Sequence, residues 1–209
     1  MQAFTRLTGR LAPLPGSNID TDQIIPASFL KITDRQGLAA GLFANWRYDD
    51  KGEPKPEFVL NRPEYRDAQI LITGANFGSG SSREHAPWAL QDHGFEVVIS
   101  TSFADIFRAN AAKNGLLTAT VEADAHATLM RLAQELPASE ITVDLDQKTI
   151  IGPEIGSISF SLDPFARHCL LNGVDQLGYL LEHSQAIDAY ERSHAQRVRT
   201  VASGAEEGS

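Results

Sequence analysis

The chain has 209 residues, with 18 Lys and Arg against 27 Asp and Glu and a formal charge of −9. This length suits one domain with a buried core, and the acidic balance excludes nucleic acid as the natural partner, because phosphate-backbone binding needs a surplus of cations. No apolar run approaches the ~20 residues of a membrane span, the opening MQAFTRLTGR lacks the apolar core of a signal peptide, and the lone cysteine, Cys169, cannot form an internal disulfide. A cytoplasmic home is the expectation. One cysteine also cannot hold an iron–sulfur cluster or a structural zinc by itself.

Residues 4–12 alternate loosely and predict a first strand; PLPGSNIDTDQIIP (13–26) is rich in turn residues and reads as a loop. Residues 27–56 have no clean period; GLAAGLFANW suits a short helix, and DDKGEPKPE an exposed excursion. DAQILIT (67–73) predicts a buried strand, followed by a glycine-rich loop and a helix over 83–93 that stops at Gly94. FEVVIS (95–100) predicts the next strand. A helix follows over 102–115, capped by Ser102 and packed through Phe103, Ile106, Phe107 and Ala111. LLTATV (116–121) then predicts a strand and 123–136 a helix. ITVDLDQKTIIG (141–152) reads as a hairpin and IGSISFSL (155–162) as its next strand. In 163–173, Asp163 takes the cap position, Pro164 the first helical position and Gly173 the stop. One or two further helices precede a small, acidic tail from about Val198, which reads as disordered. Alternating strands and helices in the middle imply parallel βαβ units, flanked by antiparallel hairpin material.

The segment GANFGSGSSREHAPWAL (74–90) concentrates the chemistry. A strand, a glycine loop and a helix start aim backbone N–H groups and the positive end of a helix dipole at whatever docks there. An acidic chain that binds an anion needs a local cation, which puts weight on Arg83, and on Lys31 and Arg35 if they come near it. The plainer alternative is that Ser81-x-x-Glu84 is only a capping box. Against it stand the glycine density, the second hydroxyl, the adjacent Arg83, and Pro87, which bars a normal helical hydrogen bond if the helix begins far upstream. The named phosphate motifs do not fit: Gly80 stands where a Walker loop needs Lys, the spacing Gly74, Gly78, Gly80 is not a dinucleotide fingerprint, and Gly78-Ser79-Gly80 is not a nucleophile elbow. In the upstream loop, Asp20 and Asp22 have two readings. They form an Asx-rich turn satisfied by backbone N–H groups, or Asp22 orients an arginine or a substrate hydroxyl.

NIDTDQIIP, NFGSGSSREHAPWAL, SFADIFRAN and FARHCLLNG together closely resemble the small subunits of 3-isopropylmalate dehydratases, a branch of the aconitase family. The likeness runs from the first strand to about Tyr190. It implies an α/β fold, a single β/β/α swivelling domain like domain 4 of aconitase, covering 1–197 ahead of a disordered tail over 198–209. It implies that this chain binds no cofactor and that a [4Fe–4S] cluster sits on a separate large subunit, its heterodimer partner. The implied activity is that of a hydro-lyase active only with the large subunit, which interconverts 2-isopropylmalate and 3-isopropylmalate through 2-isopropylmaleate in leucine biosynthesis. Carried over by position, Ser81 matches the family's general base, Arg83 the carboxylate-binding arginine, Ser82 the neighbouring hydroxyl and Asp22 the aspartate of the corresponding loop. Phe29, Leu30 and Lys31, in the segment 28–32, fall where the substrate-selecting loop is expected. One departure is Ser79, where many bacterial relatives carry Cys.

The chemistry is consistent with that match. A proton α to a carboxylate is very weakly acidic, and the charge that develops must be stabilised by cations and a metal. A serine can serve as base only if backbone N–H groups, a helix N-terminus and a nearby arginine stabilise its alkoxide. His85 reads as structural, bonded inside the loop, and Glu84 as a cap partner. His168 and Cys169 read as packing or a wall toward a partner, Trp46 and Trp88 as core or interface, and His93, His126, His183 and His194 show no metal-ligand spacing. Two competing readings remain: a related hydro-lyase acting on another hydroxy-diacid such as homocitrate or methylmalate, and a non-catalytic anion-binding domain.

Overall fold

A computed structural model describes residues 1–31 and 34–194. The expected tail from Val198 therefore lies outside the described residues, as does Ile32 at the end of the substrate-selecting segment. The chain divides into two compact units, one over Met1–Asp175 and one beginning at Gln176.

In the first unit, strand β1 (Arg6–Leu14) leads into a four-residue helix, α1 (Thr21–Ile24), then 3₁₀ turns and a short helix, α2 (Ala44–Arg47). The alternating core follows: β2 (Ile70–Thr73), α3 (His85–His93), β3 (Val97–Ser100), α4 (Asp105–Asn114), β4 (Leu117–Thr120) and α5 (Ala123–Glu135). Three antiparallel strands, β5 (Glu140–Asp144), β6 (Thr149–Gly152) and β7 (Gly156–Ser159), precede α6 (Pro164–Asn172). The second unit contributes two helices, α7 (Gln176–Glu182) and α8 (Ser184–Ser193). None of the described helices is long and apolar enough to cross a membrane.

All seven strands form one mixed sheet in the order β4-β3-β2-β1-β5-β6-β7. β1 to β4 run parallel to one another, with Leu11 opposite Ile70, Ile70 opposite Val97 and Val97 opposite Leu117. β1 pairs antiparallel with β5 on its other edge. The expected parallel core with antiparallel flanks is therefore what forms. The sheet curls until its ends meet, where Ser161, just past β7, pairs with Thr120 at the end of β4. Period-2 alternation then serves two cores. Leu11, Ile70, Ile72, Val97, Ile99, Leu117, Ile141, Val143 and Ile150 point into the curl and meet Leu129 and Leu132 of α5 and Leu170 of α6. Ala12, Leu71 and Val98 point outward and are covered by Ala86, Ala89 and Leu90 of α3 and Phe107 and Ala111 of α4.

Three expectations need correction. α4 begins at Asp105, and Ser102 does not cap it: the Ser102 hydroxyl accepts from the Asn76 N–H at 2.8 Å, and the Ser102 carbonyl accepts from Phe77 N–H at 3.3 Å. Phe103 thus lies before the helix, so the helical face is set by Phe107 and Ala111, and Ile106 is left 50% exposed. Finally, the Asp20 loop contains a turn of true helix rather than loop alone.

Candidate active site

Beyond their last strand residues, β1, β2 and β3 continue as three loops that remain paired. Asn18 N–H donates to the Ala75 carbonyl at 2.8 Å, Gly78 N–H to the Ile19 carbonyl at 2.7 Å and Thr21 N–H to the Ser79 carbonyl at 2.8 Å. On the other side Phe77 pairs with Phe103. The glycine loop is thereby held between two neighbours at the carboxyl ends of parallel strands. The carboxyl ends of parallel strands are where open α/β sheets bind ligands.

The glycines permit this close approach. Gly78 has φ +79°, and a Cβ there would lie 2.2 Å from Phe107 Cγ. A Cβ on Gly74 would lie 2.6 Å from the Gly16 carbonyl oxygen. Gly78 thus lets the chain lie against the Phe77–Phe107 edge-to-face pair, whose rings are 5.1 Å apart.

The two aspartates divide between the two readings of their loop. Asp20 caps α1 in a complete capping box: Gln23 N–H donates to Asp20 Oδ1 at 2.8 Å, and Asp20 N–H donates to Gln23 Oε1 at 2.9 Å. Asp22, two residues on and hence turned to another face, accepts instead from Arg83 Nη1. The same Nη1 also donates to the Ile25 carbonyl at 3.2 Å. A guanidinium has five N–H donors in a rigid fork. Here both bonds leave from Nη1, so among the described residues Nε and Nη2 keep their donors unpartnered. The Arg83 side chain is only 13% exposed. A mostly buried cation anchored at one nitrogen and open at the other two is suited to a planar, two-oxygen anion.

Ser81 and Ser82 are both exposed and sit one and two residues before this cation. Ser81 does not cap a helix. α3 starts at His85, with Glu84 at the cap position making no side-chain cap bond. Glu84 instead pairs with Lys113 of α4, so the cap-partner reading of Glu84 is also corrected. Pro87 falls in the first turn of α3, where its missing N–H would have had no helical partner. Asn110 of α4 approaches Ser82 Oγ at 3.5 Å.

The remaining expected residues separate from this group. Phe29 lies in a 3₁₀ turn over Ala27–Lys31, against Gly41, and packs on the outer core. Leu30 is half-buried and Lys31 exposed. Among the described residues no hydrogen bond or ion pair joins Lys31 to the serine loop. Arg35 lies over the Trp88 ring, 5.2 Å from its centroid. The His85 ring lies 5.0 Å from that of Trp88, whose indole N–H donates to Asn114 Oδ1 at 2.8 Å. His93 lies off the loop, stacked on Phe95; burial first, and Arg47 second, lower its pKa to about 4 against the pull of Asp92. Sequence reasoning missed Thr21, a buried residue whose hydroxyl donates to the Ser81 carbonyl at 2.9 Å. Its only sequence signal was its place between the two aspartates.

Cys169 is buried, and among the described residues no group of three or more His, Cys, Asp and Glu side chains could hold a metal ion. These residues do not fit an iron–sulfur cluster.

Comparison with known proteins bears on this site. The family model described as the aconitase C-terminal domain matches residues 1–124, which include the aspartate loop and the serine loop. The chain is 54% identical over 202 residues to the 3-isopropylmalate dehydratase small subunit of Roseiflexus castenholzii, covering 97% of this chain and 99% of that one. It is 52% identical over 195 residues to the protein of the same name from Agrobacterium fabrum, with 93% and 97% covered. The fold is similar to the crystal structure of a 3-isopropylmalate dehydratase from Methanocaldococcus jannaschii, with a TM-score of 0.62 and 27% identity over 88% of this chain and 99% of that one.

Proposed function

This chain belongs to the family of 3-isopropylmalate dehydratase small subunits, within the aconitases, and from that premise we propose that it supplies the base and one carboxylate anchor of a hydro-lyase site completed by a large subunit. The reaction is the stereospecific isomerisation of 2-isopropylmalate and 3-isopropylmalate through 2-isopropylmaleate. The observation that carries this reading is the open Nε and Nη2 edge of Arg83, held by Asp22 on the loop that also presents Ser81 and Ser82.

Arg83 takes a substrate carboxylate on that edge through two parallel N–H···O bonds. Ser81 Oγ removes the proton on the carbon next to a carboxylate and returns one when water adds back. Ser82 offers a second hydroxyl to the substrate. Asp22 keeps the guanidinium in one orientation, so the anchor is in place before substrate arrives. Phe29, Leu30 and Lys31 border the region in sequence and are proposed contacts to the variable side group, with Phe29 acting from its packed position. The [4Fe–4S] cluster of this family we place on the large subunit, because the residues here do not fit one.

The test is reconstitution of the chain with its cognate large subunit under anaerobic, iron-replete conditions. Addition of 2-isopropylmalate is expected to produce the ultraviolet absorbance of the unsaturated diacid. Silence with this substrate and signal with homocitrate or methylmalate would move the assignment to a related hydro-lyase. Silence with every diacid would leave only an anion-binding domain.

A further inference from the structure

Thr21 is 2% exposed and lies at the first position of α1, where a helix leaves its N–H without an internal partner. That N–H goes to the Ser79 carbonyl at 2.8 Å, and the hydroxyl goes to the Ser81 carbonyl at 2.9 Å. One buried residue thus grips alternate carbonyls of the serine loop, on either side of Gly80. Gly80 itself sits at φ +88° and lets the loop make this turn.

The geometry of the trans peptide gives this grip a consequence. Within each planar unit the C=O and the following N–H point in opposite directions, and among the described residues there are no cis bonds. With the Ser79 and Ser81 carbonyls drawn toward α1, the N–H groups of Gly80 and Ser82 are turned away from it, on an exposed stretch of chain. In the sequence these N–H groups stand on either side of Ser81. They are donors of the kind that hold an alkoxide or a carboxylate oxygen, and their value depends on fixed aim.

We propose that Thr21 is a positioning residue for Ser81: its buried hydroxyl fixes the Ser81–Ser82 peptide, and so aims the Ser82 N–H and sets the place of Ser81 Oγ relative to the Arg83 guanidinium. The inference rests on Ser81 being the base. Thr21 itself touches no substrate and acts through the backbone. The capping box of Asp20 and the bonds of Arg83 do not pass through its hydroxyl, so those parts of the site survive its loss.

The experiment compares Thr21→Val, Thr21→Ser, Ser81→Ala and the Thr21→Val/Ser81→Ala double variant, each reconstituted with the large subunit. Val keeps the shape and removes the donor; Ser keeps the donor. Thr21→Val is expected to lower kcat about 10- to 100-fold, the effect of a misplacement near 1 Å, with KM changed less than threefold. Thr21→Ser is expected to restore kcat to within about threefold of the parent. In the double variant the Val change should add nothing to the loss from Ser81→Ala, which separates positioning of Ser81 from general damage. Subunit binding and the unfolding midpoint are measured for each variant. Near-normal kcat in Thr21→Val beside an inactive Ser81→Ala overturns this inference alone. Normal turnover in Ser81→Ala overturns the base reading as well. A loss in Thr21→Val that Ser does not rescue, or that persists in full on top of Ser81→Ala, assigns Thr21 a purely structural role and also overturns the inference.

Discussion

Replacing Arg83 with Lys keeps the charge and changes the geometry, so it isolates what the fork contributes. In the parent, Nη1 is held by Asp22 and the Ile25 carbonyl, and among the described residues Nε and Nη2 have no partner, so on the proposed reading they take the ligand. A lysine ammonium has three N–H donors at one atom. If two go to Asp22 and the Ile25 carbonyl, one remains, and a carboxylate loses one of its two bonds. A hydrogen bond to a charged group contributes about 1.5–3 kcal/mol, so Arg83→Lys should lower kcat/KM by about 10- to 150-fold. Folding should change little, because Lys keeps the charge and can keep the bond to Asp22, whose side chain is 57% exposed. The assay is the initial rate of unsaturated diacid formation by the reconstituted enzyme, with the unfolding midpoint of the small subunit measured alongside. A kcat/KM within twofold of the parent refutes two-point binding. A loss matched by an equal fall in subunit affinity refutes it too, because the arginine would then serve the interface.

Ser81→Ala should reduce kcat by about 10²–10⁴-fold while leaving the unfolding free energy within about 0.5 kcal/mol, since the side chain is exposed; unchanged turnover would sink the base assignment. Gly78→Ala combines a left-handed backbone with a Cβ 2.2 Å from Phe107, and the two costs together should destabilise the chain by about 2–4 kcal/mol in urea unfolding; a change under 1 kcal/mol would show that the Phe77–Phe107 contact yields freely. His93 has its pKa lowered from 6.5 to about 4 in the folded chain, so the unfolded chain binds more protons between those values. Stability is therefore complete above about pH 6.5 and falls as pH drops toward 4, by at most roughly 3 kcal/mol. His93→Phe should flatten the fall in unfolding midpoint between pH 7 and pH 5, and an unaltered slope would place its origin elsewhere.

The parallel core was legible because its strands are buried on both faces: Ile70-Leu71-Ile72 and Val97-Val98-Ile99 are continuous apolar runs, which only a covered sheet accounts for. Helix stops at Gly94, Gly115 and Gly173 were legible because each takes a positive φ. The described residues of 27–56 were not, because tertiary contacts rather than periodicity hold them. Phe43 stacks on Trp46, Arg47 Nη1 donates to the Ala39 carbonyl at 2.9 Å, and the Asn61 amide donates to the Arg47 and Lys55 carbonyls. The capping pattern is not realised at Ser81-x-x-Glu84 and is fulfilled at Asp20-x-x-Gln23. Both segments contain the right residue types, but Thr21 holds the Ser81 carbonyl and Lys113 holds Glu84. A local motif lost there to partners 60 and 29 residues away. The pairing of Asp22 with Arg83 joins two loops across the sheet, and spacing alone left it as one of two readings.

On the proposed reading, the same geometry gives a physical reason for dividing a site between chains. Arg83 is already largely desolvated and bonded at Nη1, whereas Ser81 and Ser82 face solvent. Two unit charges 4 Å apart attract by about 1 kcal/mol in water but about 4 kcal/mol at the effective dielectric of a covered protein surface. On the proposed reading, a Ser81 alkoxide in the isolated chain would draw little from Arg83, because water screens the pair. A partner surface that covers the loop strengthens that attraction severalfold and excludes the water that would otherwise solvate the carboxylate. On that reading the cation is prepared in advance, and the hydroxyl would be activated only when a partner surface covers the loop. The proposed base would then acquire its strength only with substrate and partner both in place, and the exposed Ser81 of a free subunit would abstract nothing.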